Sequence, residues 1–240
     1  MATACFIRLV RPLWFGLALA LTAPLMAQAA TRTTQPPTPQ QVRADEIAIC
    51  LPGEARTWPD GHDRPAVGGQ LRLLYRHAGA PAQFDEAQVL GAMQRAAQAW
   101  AGCGVPVTVV AEAAAALHPA SMAVVQWSDA QARGNFALAD LGRRRLSISP
   151  AVFALLAQRN PRHPAFQTLQ MAVSHEMGHF LGLMAHSRRC VDVMSAYDNG
   201  QGQACQLRPG GQLRAVAEYR ALLPTACDIA RCRAVNGLAH

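Results

Sequence analysis

The chain has 240 residues, 51% of them hydrophobic, with 22 basic residues against 15 acidic ones and a formal charge of +7. Every basic residue is an arginine, scattered except for the short runs Arg143-Arg144-Arg145 and Arg188-Arg189, which suits a solvated surface and excludes a nucleic-acid-binding stripe. The length fits one domain with a sizeable core, and no apolar run beyond Met26 is long enough to cross a bilayer.

Arg8 and Arg11 precede an apolar run from Leu13 to Met26 that ends at the small-residue triplet Ala27-Gln28-Ala29. This pattern predicts a cleaved signal peptide over residues 1–29, since the run is shorter than the roughly 20 residues a spanning helix needs. The mature protein is then expected in the periplasm or secreted, without stable membrane insertion. Because residues 1–30 hold two arginines and no acid, its charge falls to +5. Cys5 leaves with the signal, while Cys50, Cys103, Cys190, Cys205, Cys227 and Cys232 remain, an even set suited to disulfides in an oxidising compartment. The local pairs Cys190–Cys205 and Cys227–Cys232 are the ones expected.

Residues 30–45, rich in Thr, Gln and Pro and without hydrophobic periodicity, predict a flexible leader before a domain over 46–240. Leu71 to Tyr75 then reads as a strand after the Gly68-Gly69 turn. Residues 84–101 read as a helix capped at Asp85, with Val89, Met93, Ala96, Ala97 and Trp100 at helical spacing. Val105–Val110 and Met122–Trp127 suit strands of a mostly buried sheet, Gly134–Leu138 another strand, and the alternation in Arg145–Ser149 a fifth. Ser149-Pro150 is a cap followed by proline, opening a short helix through Leu156. A longer helix should run from Pro164 or Ala165 to Gly182, with Leu169, Val173, Met177 and Phe180 on its apolar face, and residues 212–223 read as a last helix.

That long helix carries His175-Glu176-Met177-Gly178-His179, two imidazoles four positions apart and so one turn apart on one face. Two neutral imidazoles suit Zn²⁺, and a carboxylate beside them, outside the metal shell, suits proton transfer from water activated by the ion. Gly182 can end the helix in a left-handed conformation that turns the chain back, so that His186 becomes a third ligand. Asp192, with an oxygen suited to zinc, is the alternative.

Read through Gly182, His186 and Met194, this segment resembles the metzincin clan of zinc peptidases, and within it the matrixin-like members, whose signature is H-E-x-x-H-x-x-G-x-x-H followed by a methionine turn. The resemblance implies zinc held by His175, His179 and His186, Glu176 as general base, and Met194 as packing beneath the metal. It further implies an α/β (α+β) catalytic domain. Its parts would be a twisted, mostly parallel five-stranded sheet with an antiparallel edge strand, two backing helices, and a small C-terminal subdomain from about residue 183. A peptide substrate would then align along the edge strand Gly134, Asn135, Phe136, Ala137 and Leu138. One departure stands out: the third histidine lies 11 residues after the first instead of 10, with Ala185 at the family's position. Cys50 lacks the surroundings of the inhibitory thiolate found in some matrixins, which favours a structural disulfide, and Tyr197 is one residue out of register with the tyrosine that approaches the metal in some relatives. Calcium, common in such proteins, finds no ligand set in the sequence, and His62, His77, His118, His163 and His240 lack partners at ligand spacing.

The expected activity is that of an exported bacterial zinc endopeptidase acting as a monomer on peptides or proteins. The alternatives are a hydrolase of cell-wall peptides, or a zinc-binding interaction module in which the extra residue has disabled catalysis.

Overall fold

A computed structural model describes residues 36–114, 122–213 and 218–238. The predicted signal segment, His118 and His240 lie outside these residues. The architecture is mixed α/β, with one five-stranded sheet and helices.

The strands are β1 (Leu71–Tyr75), β2 (Val107–Ala111), β3 (Ala123–Trp127), β4 (Ala137–Asp140) and β5 (Arg145–Ile148). They lie in the order β2-β1-β3-β5-β4, with every pairing parallel except β4–β5. Alternation sorts the side chains by face. Leu71, Leu73, Tyr75, Ala123, Val125, Trp127, Ala137, Leu146 and Ile148 all enter the main core. That face is covered by two helices packed on each other, α2 (Glu86–Trp100) and α5 (Ala165–Phe180). Strand β2 is an edge and only half-buried, short of the burial expected for it.

Asp85 caps α2 with a capping box to Gln88, as its position before the apolar stripe suggests. Ser149 caps α4 (Pro150–Arg159), which continues beyond Leu156. Between β3 and β4 a single-turn helix, α3 (Asp129–Ala132), ends in Arg133 and Gly134, both at positive φ. The extended backbone therefore starts later than expected. Gly134 and Asn135 belong to the turn closing α3, where the Asn135 N–H and side chain both donate to the Ala132 carbonyl, and Phe136 only leads in. The edge strand is Ala137–Asp140.

Two helices depart from the sequence reading. Instead of a leader, residues 39–45 belong to α1 (Pro39–Ala48), started by a Thr38–Gln41 capping box and a proline in its first turn. It buries only Val42 and Glu46, so its apolar signal is faint. Near the C-terminus, residues 212–213 and 218–223 are not helical, whereas α6 (Ala226–Val235) follows a Thr225–Asp228 capping box.

Three disulfides are present: Cys50–Cys227, Cys103–Cys232 and Cys190–Cys205. The last is as expected, but Cys227–Cys232 is not formed. Both cysteines lie on α6 five positions apart, hence about 140° apart around the helix, and each reaches a different partner. Cys103 follows α2 and Cys50 follows α1, so α6 is tied to both. A smaller cluster of Cys190, Val191 and Tyr219, with Ile47, Tyr197, Cys205 and Leu207 against it, forms a second core beyond α5. Among the described residues no helix is long and apolar enough to cross a membrane.

Candidate metal centre

The imidazoles of His175, His179 and His186 form a nearly equilateral triangle, with ring centroids 5.0, 5.1 and 5.2 Å apart. Each can bring a ligand nitrogen within 4.8 Å of the other two. What orients the rings is the same in all three cases. The Nδ1 of His175 lies 2.7 Å from the Val193 carbonyl, that of His179 2.7 Å from the Leu183 carbonyl, and that of His186 2.7 Å from Asp60 Oδ2. Those oxygens can only accept, so each Nδ1 carries the proton and each Nε2 keeps its lone pair for a cation. Three imidazoles in one tautomer, each with Nε2 free, suit Zn²⁺, and the donor set fits it.

Burial first, then the neighbouring imidazole charges, hold His175 well below the usual histidine pKa. Burial with the charge of His186 brings His179 down to about 4. Both rings are therefore neutral, the form that binds metal, well into mildly acidic solution.

Gly178 lies between the two helical histidines. A Cβ there would fall 2.2 Å from Met194 Sδ and 3.1 Å from the Trp100 ring. The missing side chain is what lets the fully buried Met194 thioether seat beneath the histidine pair. Trp100 also donates from Nε1 to the Ser174 carbonyl at 3.0 Å, fixing α2 to the turn that carries His175.

After Phe180 the helix closes through a Gly182 N–H bond to the His179 carbonyl and a Leu183 N–H bond to the Gly178 carbonyl. Gly182 has φ +103°, and a Cβ there would sit 2.1 Å from the Arg64 carbonyl oxygen. The loop before His186 is held from outside. Asp63 accepts the Met184 and Ala185 N–H groups and pairs with Arg231 of α6, while Asp60 accepts both the backbone N–H and the Nδ1–H of His186. Trp58 adds an N–H bond to the His186 carbonyl, and its indole donates to Ala196 beyond Met194. Burial alone would raise the Asp60 carboxyl, but its hydrogen bonds from His186 and the attraction of that ring leave it below the ordinary carboxylate pKa. Sequence reading missed Asp60 and Asp63. Pro59-Asp60-Gly61 looks like any polar turn, and the partner lies 126 positions away.

Asp192, the alternative ligand, is not at the site. It is buried and bonded to Ser187 Oγ, Arg189 and Thr225 Oγ1. Nearby, burial and the adjacent Asp192 push Asp228 up to about 7, while one of its oxygens accepts the Val193 N–H. Val193, whose carbonyl orients His175, is thus anchored through its N–H to α6. Cys50 is spent in its disulfide and is no metal ligand. Tyr197 bonds Glu218 and the Tyr219 N–H. His77 and His163 are satisfied by Tyr75 and Thr168.

Glu176 is buried beside the triangle, and its Oε2 accepts the Ala139 backbone N–H at 2.7 Å. Burial outweighs that bond and raises its pKa to about 7. Since the Phe136 carbonyl accepts from the Ser149 N–H just after β5, antiparallel alternation turns the N–H and C=O of Ala137 and Ala139 outward from β4. Of the expected edge residues, Ala137 and Leu138 are thus on the strand beside the histidines, while Gly134, Asn135 and Phe136 precede it.

No protein-family model matches this chain, and no curated protein matches it. Among solved structures it is similar to a chain of one described as "GM1 bound form of the ECX AB5 holotoxin", at 12% sequence identity and a TM-score of 0.41, over 75% of this chain and 91% of that one. A likeness that slight carries no argument about fold or function.

Proposed function

We propose that the chain is a zinc-dependent endopeptidase of the matrixin-like metzincin type, working outside the cytoplasm after loss of its signal peptide. The observation that carries the reading is the joint placement of three Nδ1-anchored imidazoles and a buried carboxylate bonded to the outward face of an edge strand. The three disulfides suit an oxidising compartment.

His175, His179 and His186 would hold the ion. Bound there, zinc supplies Lewis acidity, bringing the pKa of water to about 7 and polarising a substrate carbonyl. The chain's own residues do the rest. The outward groups of Ala137 and the Ala139 carbonyl align an extended peptide by backbone hydrogen bonds. Glu176, tethered through Oε2 to Ala139, keeps its other oxygen for proton exchange. That free oxygen can take a proton from the attacking water and release it to the departing amine.

The test is hydrolysis of a quenched-fluorescence peptide library by the mature protein. Cleavage is expected to stop with a chelator and to fall roughly 10²–10⁴-fold in Glu176→Gln with zinc content unchanged. Cleavage by that variant at the unaltered rate contradicts the role of Glu176. One bound zinc without any turnover points to an interaction module instead.

A further inference from the structure

On the face of β4 away from α5, the edge strand borders a cleft of about 570 Å³ that includes Arg133, Leu138, Asp140, Arg143 and Arg145 in its lining. Three guanidinium groups face one carboxylate there. Leu138 pairs in register with Ser147, and Asp140 with Arg145, so these four side chains share the face opposite Ala137 and the core. Arg145 donates to the neutral amide of Gln131, a bond that leaves its charge in place. Arg143 binds Asp140 but is 69% exposed. Arg133 is exposed, at φ +54°.

We infer that this cleft is a specificity subsite for acidic side chains of an extended peptide bound along β4. The inference rests on the peptide-binding role proposed for that strand. A guest strand pairing with the outward groups of Ala137 and the Ala139 carbonyl places the residues opposite Leu138 and Asp140 on the cleft's face, with cross-strand Cβ atoms about 5 Å away. Carboxylates on those alternate residues come within reach of the arginine side chains, and the intervening residues point toward the histidines. Repeated acidic residues on every second position are therefore the recognised pattern, and glutamines in their place are the neutral counterpart.

Two fluorescent peptides, identical except for Glu or Gln at alternate positions, would be titrated against the mature Glu176→Gln protein at low and high salt. KM for the same peptides on the unaltered protein gives a second reading. The Glu peptide is expected to bind about three- to tenfold more tightly at low salt, the scale of two exposed ion pairs. The advantage should shrink at high salt and vanish in Arg133→Ala/Arg143→Ala, while binding of the Gln peptide stays unchanged. Equal binding of the two peptides, or a Glu preference that survives the double substitution, overturns the subsite. Charge-dependent binding with neither peptide cleaved keeps the subsite and refutes the peptidase. Cleavage of both without preference does the reverse.

Discussion

The two sides of the histidine triangle are built by different means. His175 and His179 come from one helix, and their spacing, their shared face and the seat for Met194 at Gly178 are properties of a stretch of five residues. His186 comes from a loop whose position depends on Asp60 and Asp63, more than 100 residues earlier in the chain, and on Arg231 in α6. A helix can present two ligands by its periodicity alone. A loop ligand needs its backbone and its ring to be held from outside, and Asp60 does both here. The loop between Gly182 and His186 is fixed in the same way, its Met184 and Ala185 N–H groups hydrogen-bonded to Asp63.

The comparison breaks most severely at the joint between the two sides. Gly182→Ala combines a disfavoured φ with a Cβ driven into the Arg64 carbonyl, and is expected to cost about 3 kcal/mol or more, read by denaturant unfolding of the metal-free protein. It should also uncouple the His186 loop from the helical pair. A stability within 0.5 kcal/mol of the unaltered protein, a small shift on the scale of single substitutions, would mean the turn does not pack as described.

Asp60→Ala tests the loop side alone. It leaves the helix untouched, so the fold should hold while zinc affinity falls about 10- to 100-fold, the usual effect of losing an outer-shell partner of a ligating histidine. Asp60→Asn should fall between the two. If competition titration finds no change in zinc affinity, His186 is positioned by something other than Asp60.

The helix side is sharpened by pH. Three ordinary imidazoles would lose roughly 10³-fold in metal affinity between pH 7.5 and 5.5 through proton competition. With His175 and His179 both held below the ordinary value, the loss should be about 10²-fold smaller, measured in Glu176→Gln so that the carboxyl's own titration is removed. For the metal-free fold the signs oppose. The lowered pKa of His179 gives stability present above about pH 6.5 and lost as pH falls toward 4, and that of His175 acts with the same sign, whereas Glu176, raised to about 7, contributes stability below about pH 4.5 that is lost as pH rises through 7. Over the pH range where they overlap the two contributions partly cancel, so metal affinity is the better readout.

The same division separates what could be read from the sequence from what could not. The strands and α5 announce themselves by period, α2 by period and cap, and the paired histidines of α5 with them. Tertiary contact decided the rest. Thr38 and Gln41 form a capping box whose sequence signature was present, but one buried valine in ten residues offers no stripe to follow. Cys227 and Cys232 look like a local pair in one dimension, while helical geometry turns them apart. The start of the edge strand was misplaced because Gly134 and Asn135, residues suited to a turn, close the left-handed end of α3 and the extended run begins only after them.

The most direct test of the central claim is metal analysis of the purified mature protein beside His186→Ala and Asp192→Asn. The account predicts one zinc per chain, retained in Asp192→Asn and lost or greatly weakened in His186→Ala, because His186 completes the triangle and Asp192 is bonded elsewhere. Zinc that survives His186→Ala at full affinity, or never binds the unaltered chain, would contradict it.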